Sequence, residues 1–168
     1  MKLSNTKPQI VVVGSSSIDL ILKTSIIPTA NNTVLATNLT SYLGGKGANQ
    51  AIATSRLGAQ TSLVSCVGMD PYGQQVLRNL DDENVNVTYV FEDEDEDTGT
   101  AYVTASDDGN SIVVVPAANY NLSSANINEA EKYLVAADLI LTQMEIPAHT
   151  VEYLFQKAKK LNKKIGIY

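Results

Sequence analysis

The residues most able to do chemistry are a glycine-rich run and two isolated carboxylates. Gly44-Gly45-Lys46-Gly47-Ala48-Asn49-Gln50 is the sharpest signal. Paired glycines let a backbone approach a ligand closely. Amides at a helix start have no partner within the helix and are expected here as free donors. Asn49, in the first turn, offers a donor and an acceptor. The set suits a neutral polyol better than a phosphate. It is not a Walker A loop, because Ala48 stands where Ser or Thr follows Gly-Lys and the spacing differs. The same residues also suit a tight strand–helix turn with Lys46 in solvent. Asp19 follows the apolar run Ile10–Val13 by a few residues. Gly14–Asp19 fails the G-x-G-x-x-G test, since positions 16 and 19 are Ser and Asp. A carboxylate beyond the carboxyl end of a strand can accept two hydrogen bonds from vicinal sugar hydroxyls; it can equally form a turn. Glu145 follows the strand-like Asp138–Thr142 and could meet Asp19 across a sheet, or serve as an acid at the start of the next helix.

These residues need elements to position them. Ile10–Val13 and Thr61–Val67 read as buried strands, and Leu20–Lys23 and Val34–Leu39 as half-exposed ones. A helix opens at the glycine-rich run and ends near Gly58, with Ala48, Ala51, Ile52 and Ser55 on one face. Asp70-Pro71 starts another, with Val76, Leu77 and Leu80 inside. Val85–Phe91 is strand-like. Thr98–Ser106 and Ser111–Val115 flank the turn Asp107–Asn110 as a hairpin. Ser123 or Ser124 caps a helix with Ile127, Ala130, Leu134 and Val135 inside. Pro147 opens a helix with Val151, Leu154, Phe155, Ala158 and Leu161 inside, and Lys164–Tyr168 reads as one more strand. Strands alternating with helices from Thr61 onward predict an α/β fold with a mainly parallel sheet. The chain's end on a strand with nothing to cover it is read as truncation.

Composition excludes several classes. A formal charge of -6 shows no basic face for nucleic acid. The lysines at 157, 159, 160, 163 and 164 are expected as a solvated helix face. No run approaches the length of a membrane span, and Met1–Pro8 lacks the apolar core of a signal peptide. The single cysteine, Cys66, is expected as a small buried hydrophobe, and a reducing, cytoplasmic setting follows. The acidic run Glu92–Asp97 lacks the spacing and turn glycine of a calcium loop and is expected as solvated loop. His149, the only histidine, lacks metal-ligating partners, so no metal site is expected.

Gly44–Ala51, read as GGKGANQA, resembles the N-terminal signature of the PfkB-type, ribokinase-like sugar kinases. The resemblance runs along the chain. Val11–Asp19 is similar to the family's opening strand and substrate aspartate. Ile27-Pro28-Thr29 and Thr33-Val34 are similar to its lid, with Ala30-Asn31-Asn32 in place of the usual Gly-Glu. Val67–Gly73 is similar to its VGxDxxG segment. Thr98-Gly99 resembles the lid strand, and Gln143–Pro147 resembles the segment with a second acidic contact. Among family members the glycine-rich wording is nearest to that of the ribokinases.

The resemblance implies a ribokinase-like three-layer fold with a small β lid, formed by segments of about 20–39 and 98–115, over residues 1–168. It implies that Asp19 holds sugar hydroxyls, that Gly44, Gly45, Lys46 and Asn49 line the pocket, and that Glu145 closes it. Ser17 stands where ribokinases usually carry Asn, and offers one hydroxyl in place of an amide. The implied reaction is ATP- and Mg-dependent phosphorylation of a pentose, D-ribose first, by a homodimer joined through its lids. The family's anion-hole motif and catalytic aspartate belong to its C-terminal half; nothing after Asn110 resembles them. The expected base therefore lies beyond Tyr168, the ATP site is mostly absent, and the expectation is a sugar-binding part inactive alone. Another sugar or a nucleoside as substrate, and a noncatalytic sugar-binding or dimerisation module, remain the alternatives.

Overall fold

The computed structural model describes residues 6–168; of Met1–Pro8, read above as lacking a signal peptide, the first five residues lie outside those described. The β-branched run of β1 (Gln9–Val13) lies at the centre of a sheet. The chain then leaves that sheet for β2 (Ser17–Thr24) and β3 (Ala36–Gly44), and returns through α1 (Lys46–Arg56) to β4 (Gln60–Gly68). Asp70 caps α2 (Pro71–Asp82) by accepting from the Gly73 amide, with Pro71 in the first turn. After β5 (Asn86–Asp93) comes the hairpin β6 (Gly99–Ser106) and β7 (Gly109–Val115), then a 3-10 turn at Ala117–Asn121. Two short helices, α3 (Ser124–Glu129) and α4 (Glu131–Ala136), lead to β8 (Leu139–Thr142), α5 (Ala148–Lys160) and β9 (Ile165–Ile167).

Five strands form the central sheet in the order β5-β4-β1-β8-β9, with every pairing parallel. The period of two along each strand splits its side chains between two cores. Val11, Val13, Val64, Cys66 and Ile140 pack against α3, α4 and α5. Val12, Leu63 and Val67 pack against α1 and α2 through Ala48, Ala51, Val76 and Leu80. This is a three-layer α/β fold. From β1 the chain builds outward through β4 and β5, and later resumes on the other side with β8 and β9. The β1–β8 boundary is therefore a topological switch point, where the carboxyl ends of neighbouring strands part and leave a crevice.

A second sheet of four strands, ordered β3-β2-β6-β7, stands over that crevice. Here β2 and β6 are parallel and the outer pairs antiparallel. Four expectations are corrected. First, β2 starts at Ser17 rather than Leu20, so Asp19 is a strand residue and not a loop residue. Second, β3 runs on to Gly44, leaving Gly45 alone as the turn into α1. Third, the helix expected from Ser124 is broken at Ala130; Leu134 faces the core while Val135, about 100° further round, is 50% exposed. Fourth, the acidic run is not all loop: Glu92 and Asp93 end β5, and the Asp93 carboxylate accepts from the Asp95 and Glu96 amides and from Asn121. The lysine cluster is also partly engaged. Lys157 pairs with Glu131, and Lys163 donates to the Ala137 carbonyl. Cys66 is buried, and burial pushes its thiol up to about 11.

Candidate functional site

At the switch point, four consecutive residues after β1 supply polar groups. Gly14 donates its amide to the Val64 carbonyl, keeping the chain in line with β4. The Ser15 hydroxyl donates to Glu145 Oε2 at 2.6 Å. Ser16 shares a 2.9 Å hydrogen bond with buried Ser65. Ser17 donates its hydroxyl to Asp19 Oδ1 at 3.2 Å. Gly44 lies opposite Ser17 across the β2–β3 pair. A Cβ on Gly44 would sit 1.9 Å from Asp19 Oδ1, so the Asp19 carboxylate occupies space that only glycine leaves open. Gly45 turns with φ of 86°, which glycine adopts without strain, and swings the chain into α1.

Glu145 comes from the segment after β8, yet it does not cap the helix that follows it. It lies at the N-terminus of α1, where Oε2 accepts from the Lys46 amide at 3.0 Å and Oε1 pairs with the Lys46 ammonium. The Gly47 amide reaches the Ser15 hydroxyl and the Ala48 amide reaches the Ser15 carbonyl. The amides expected to be free donors at this helix start are therefore occupied. A carboxylate already fills the place where a helix terminus would attract a phosphate.

A cavity of about 460 Å³ lies between the two sheets. Its polar side is made by Ser15, Ser17, Asp19, Gly45, Lys46, Asn49 and Glu145. Ala101, Val103, Ile112 and Val114 face it from β6 and β7, and Asn119, Tyr120 and Met144 close one end. Six of the seven residues singled out from the sequence line it. The seventh, Gly44, acts through the room it leaves Asp19. His149 is exposed on α5 and is not among the lining residues. Ser15 and Asn119 were missed. Ser15 looked like one of three equivalent serines, and Asn119 follows an apolar strand with no motif around it.

The two carboxylates have different electrostatics. Partial burial pushes the Asp19 carboxyl above its ordinary value; the Ser17 hydroxyl pulls it down, and the negative charge of Glu145 adds to the rise. Burial would raise Glu145 too, but the Lys46 side chain, the Ser15 hydroxyl and the Lys46 amide outweigh it and hold that carboxyl below its ordinary value. Glu145 is thus a neutralised structural anion, and Asp19 is the acceptor turned to the cavity. Apolar walls, one available carboxylate and the Asn49 amide suit stacking and hydrogen bonding of a neutral polyol. The α1 amides that would meet a phosphate are taken.

Comparison with known proteins supplies independent findings. Residues 7–168 match the sequence pattern described as pfkB family carbohydrate kinase. The chain is 41% identical to ribokinase from Bacillus subtilis (strain 168) over 143 residues, which is 85% of this chain and 49% of that protein. It is 34% identical to deoxyribokinase from Salmonella typhimurium over 152 residues, 90% of this chain and 50% of that protein. Among solved structures, Arabidopsis thaliana ribokinase complexed with ribose and ATP superposes with a TM-score of 0.83 at 30% identity, covering 96% of this chain and 53% of the other. The chain spans about half the length of the curated relatives it matches.

Proposed function

The chain belongs to the pfkB family of carbohydrate kinases, and on that premise we propose that its cavity holds a neutral pentose, D-ribose first. Asp19 accepts two sugar hydroxyls, Asn49 and the Gly45–Lys46 backbone contact the ring edge, and Glu145, held by Lys46 and Ser15, shapes the floor. The observation that carries this reading is the pairing inside the cavity. One carboxylate is neutralised by its neighbours, while the other keeps an oxygen without a hydroxyl donor, facing apolar walls.

The reaction that goes with this reading is ATP- and Mg-dependent phosphorylation of the ribose 5-hydroxyl. This reading assigns these residues to the acceptor sugar rather than to nucleotide or metal. Phosphoryl transfer requires all three to be placed together. The proposal is therefore that residues 1–168 bind sugar without turning it over, and that the base lies outside them. The β2–β3 and β6–β7 ribbons, including residues 20–39 and 98–115, act as a lid. By register Leu39, Tyr102 and Val113 share the lid face turned away from Asp19, and all three are exposed. An apolar set of that kind supports a homodimer through the lids. The net charge of -6 argues against nucleic acid as a partner. Among the described residues no helix is long and apolar enough to cross a membrane. A reducing, cytoplasmic setting belongs to the same proposal.

One observation favours a second substrate. The Ser17 hydroxyl is already donated to Asp19, leaving less polar reach than an amide would supply. A deoxypentose would then lose little relative to ribose, and a relative named deoxyribokinase is in keeping with this.

The test is to incubate the chain with ATP, Mg and D-ribose, to look for ribose 5-phosphate by mass spectrometry, and to record thermal unfolding with each of a panel of sugars. Protection by ribose without product is expected. Steady turnover that disappears in Asp19→Ala would refute the inactivity. Protection by 2-deoxyribose or a nucleoside alone would transfer the reading to that substrate. Protection by no polyol would end it.

A further inference from the structure

The chain passes between the two sheets at four places, and one side chain outside the predicted site hydrogen-bonds at two of them and packs against a third. Asn119 lies in the 3-10 turn through which the chain returns from β7, and it is only 3% exposed. Its Oδ1 accepts from the Ser16 amide at 2.8 Å, and its Nδ2 donates to the Ser16 carbonyl at 2.8 Å. The same Nδ2 donates to the Pro116 carbonyl at 3.1 Å. The side chain therefore pairs with Ser16 as a neighbouring strand would, at a point where the backbone has left β1 and not yet joined β2. Gly99, the first residue of β6, presses on it from a third direction: a Cβ there would lie 2.3 Å from Nδ2. Next to it, the Ala118 amide donates to the Asp97 carbonyl and ties in the entry to β6.

What Asn119 grips is the short connection that carries the chemistry. One residue before Ser16, Ser15 donates to Glu145; one residue after, Ser17 donates to Asp19. We propose that Asn119 is the positioning residue of the cavity: its amide fixes the Ser15–Asp19 connection against the base of the second sheet. The link to a sugar rests on the pentose-binding reading above; the grip on the connection does not.

Two variants and two readouts test this. Amide hydrogen exchange of the whole chain is followed at residues 15–19 and, as a reference, in α5. D-ribose affinity is measured by calorimetry under conditions where the chain is folded. Asn119→Ala is expected to speed exchange at residues 15–19 while leaving α5 unchanged, and to weaken ribose binding about tenfold, as loss of one or two net hydrogen bonds would. Asn119→Asp presents a carboxylate to two carbonyls at neutral pH and is expected to behave no better than Ala. On acidification its buried carboxyl takes a proton and again donates as well as accepts, so exchange at residues 15–19 should recover toward wild type. Asp19, Glu145 and Lys46 line the same cavity, so wild type is followed over the same pH range and the recovery is scored against it. Unchanged exchange at residues 15–19, equal acceleration in α5, failure of both variants to fold at any pH, or no recovery of Asn119→Asp would each overturn the proposal. If wild type binds no ribose, the sugar reading falls and the exchange readout still decides the role of Asn119.

Discussion

The two sheets that wall the cavity are built on opposite terms. In the central sheet Val12, Val13, Leu63 and Val64 are fully buried, between helices on both faces. In the second sheet β7 is exposed along its whole length, with Ile112 at 54% and Val114 at 62%. One wall is held by close-packed side chains; the other is held chiefly by its strand pairing and by the hydrogen bonds at its base. β2 joins the two regimes. Ile18 is fully buried, and Asp19 next to it is only partly so. The Asp19 carboxylate thus sits where the buried sheet gives way to the exposed one.

The largest effect that would test this contrast is in the buried wall. Leu63→Ala should cost about 2–5 kcal/mol in urea unfolding, through lost transfer energy and a cavity that neighbours cannot fill. Next comes Asp19, at the junction. Asp19→Ala should weaken ribose binding roughly 10- to 100-fold in calorimetry, as expected for hydrogen bonds to a charged group. Asp19→Asn should weaken binding as well, yet make the fold more stable at neutral pH. The sign follows from the raised pKa: the folded chain disfavours the ionised form, so wild-type stability on account of this group rises as pH falls through that pKa, and Asn removes the penalty. Sugar affinity should move oppositely and be lost on the same acidification. Glu145 behaves the other way. Its lowered pKa contributes stability above the unfolded-state value that is lost only at still lower pH, so affinity should fail before the Lys46–Glu145 pair does. A titration by calorimetry alongside urea melts would show either order.

Lys46→Met should change stability by only about 0–1 kcal/mol, because Lys46 and Glu145 are 48% and 35% exposed and solvent screens the pair. The smallest effect is in the exposed wall. Ile112→Ala should shift urea stability by less than about 0.5 kcal/mol. A cost comparable to that of Leu63→Ala would mean that the second sheet is covered in solution, and would erase the contrast.

Legibility followed the same division. The central strands stood out as apolar β-branched runs because burial on both faces leaves them no room for polar residues. The helix starts at Gly45 and Asp70 were readable from their turn and cap residues. The second sheet was harder. Its strands carry polar and apolar residues on both faces, so β2 and β3 were read short, and Asp19 and Gly44 were assigned to loops. The Ala130 break was hidden because a continuous apolar pattern does not record a change of helix phase.

The sequence by itself carried the alternating strands and helices of an α/β core, because hydrophobic period and turn chemistry are local properties of the chain, while its resemblance to the sugar kinases pointed to six of the residues that line the cavity. Only the tertiary structure decided their roles. It brought Glu145 across 99 residues to the start of α1, where it meets Lys46 and takes up donors that looked free, and it brought Asn119 across 103 residues to Ser16. Which donor a carboxylate or amide meets depends on the packing of distant segments, and no local pattern carries that information.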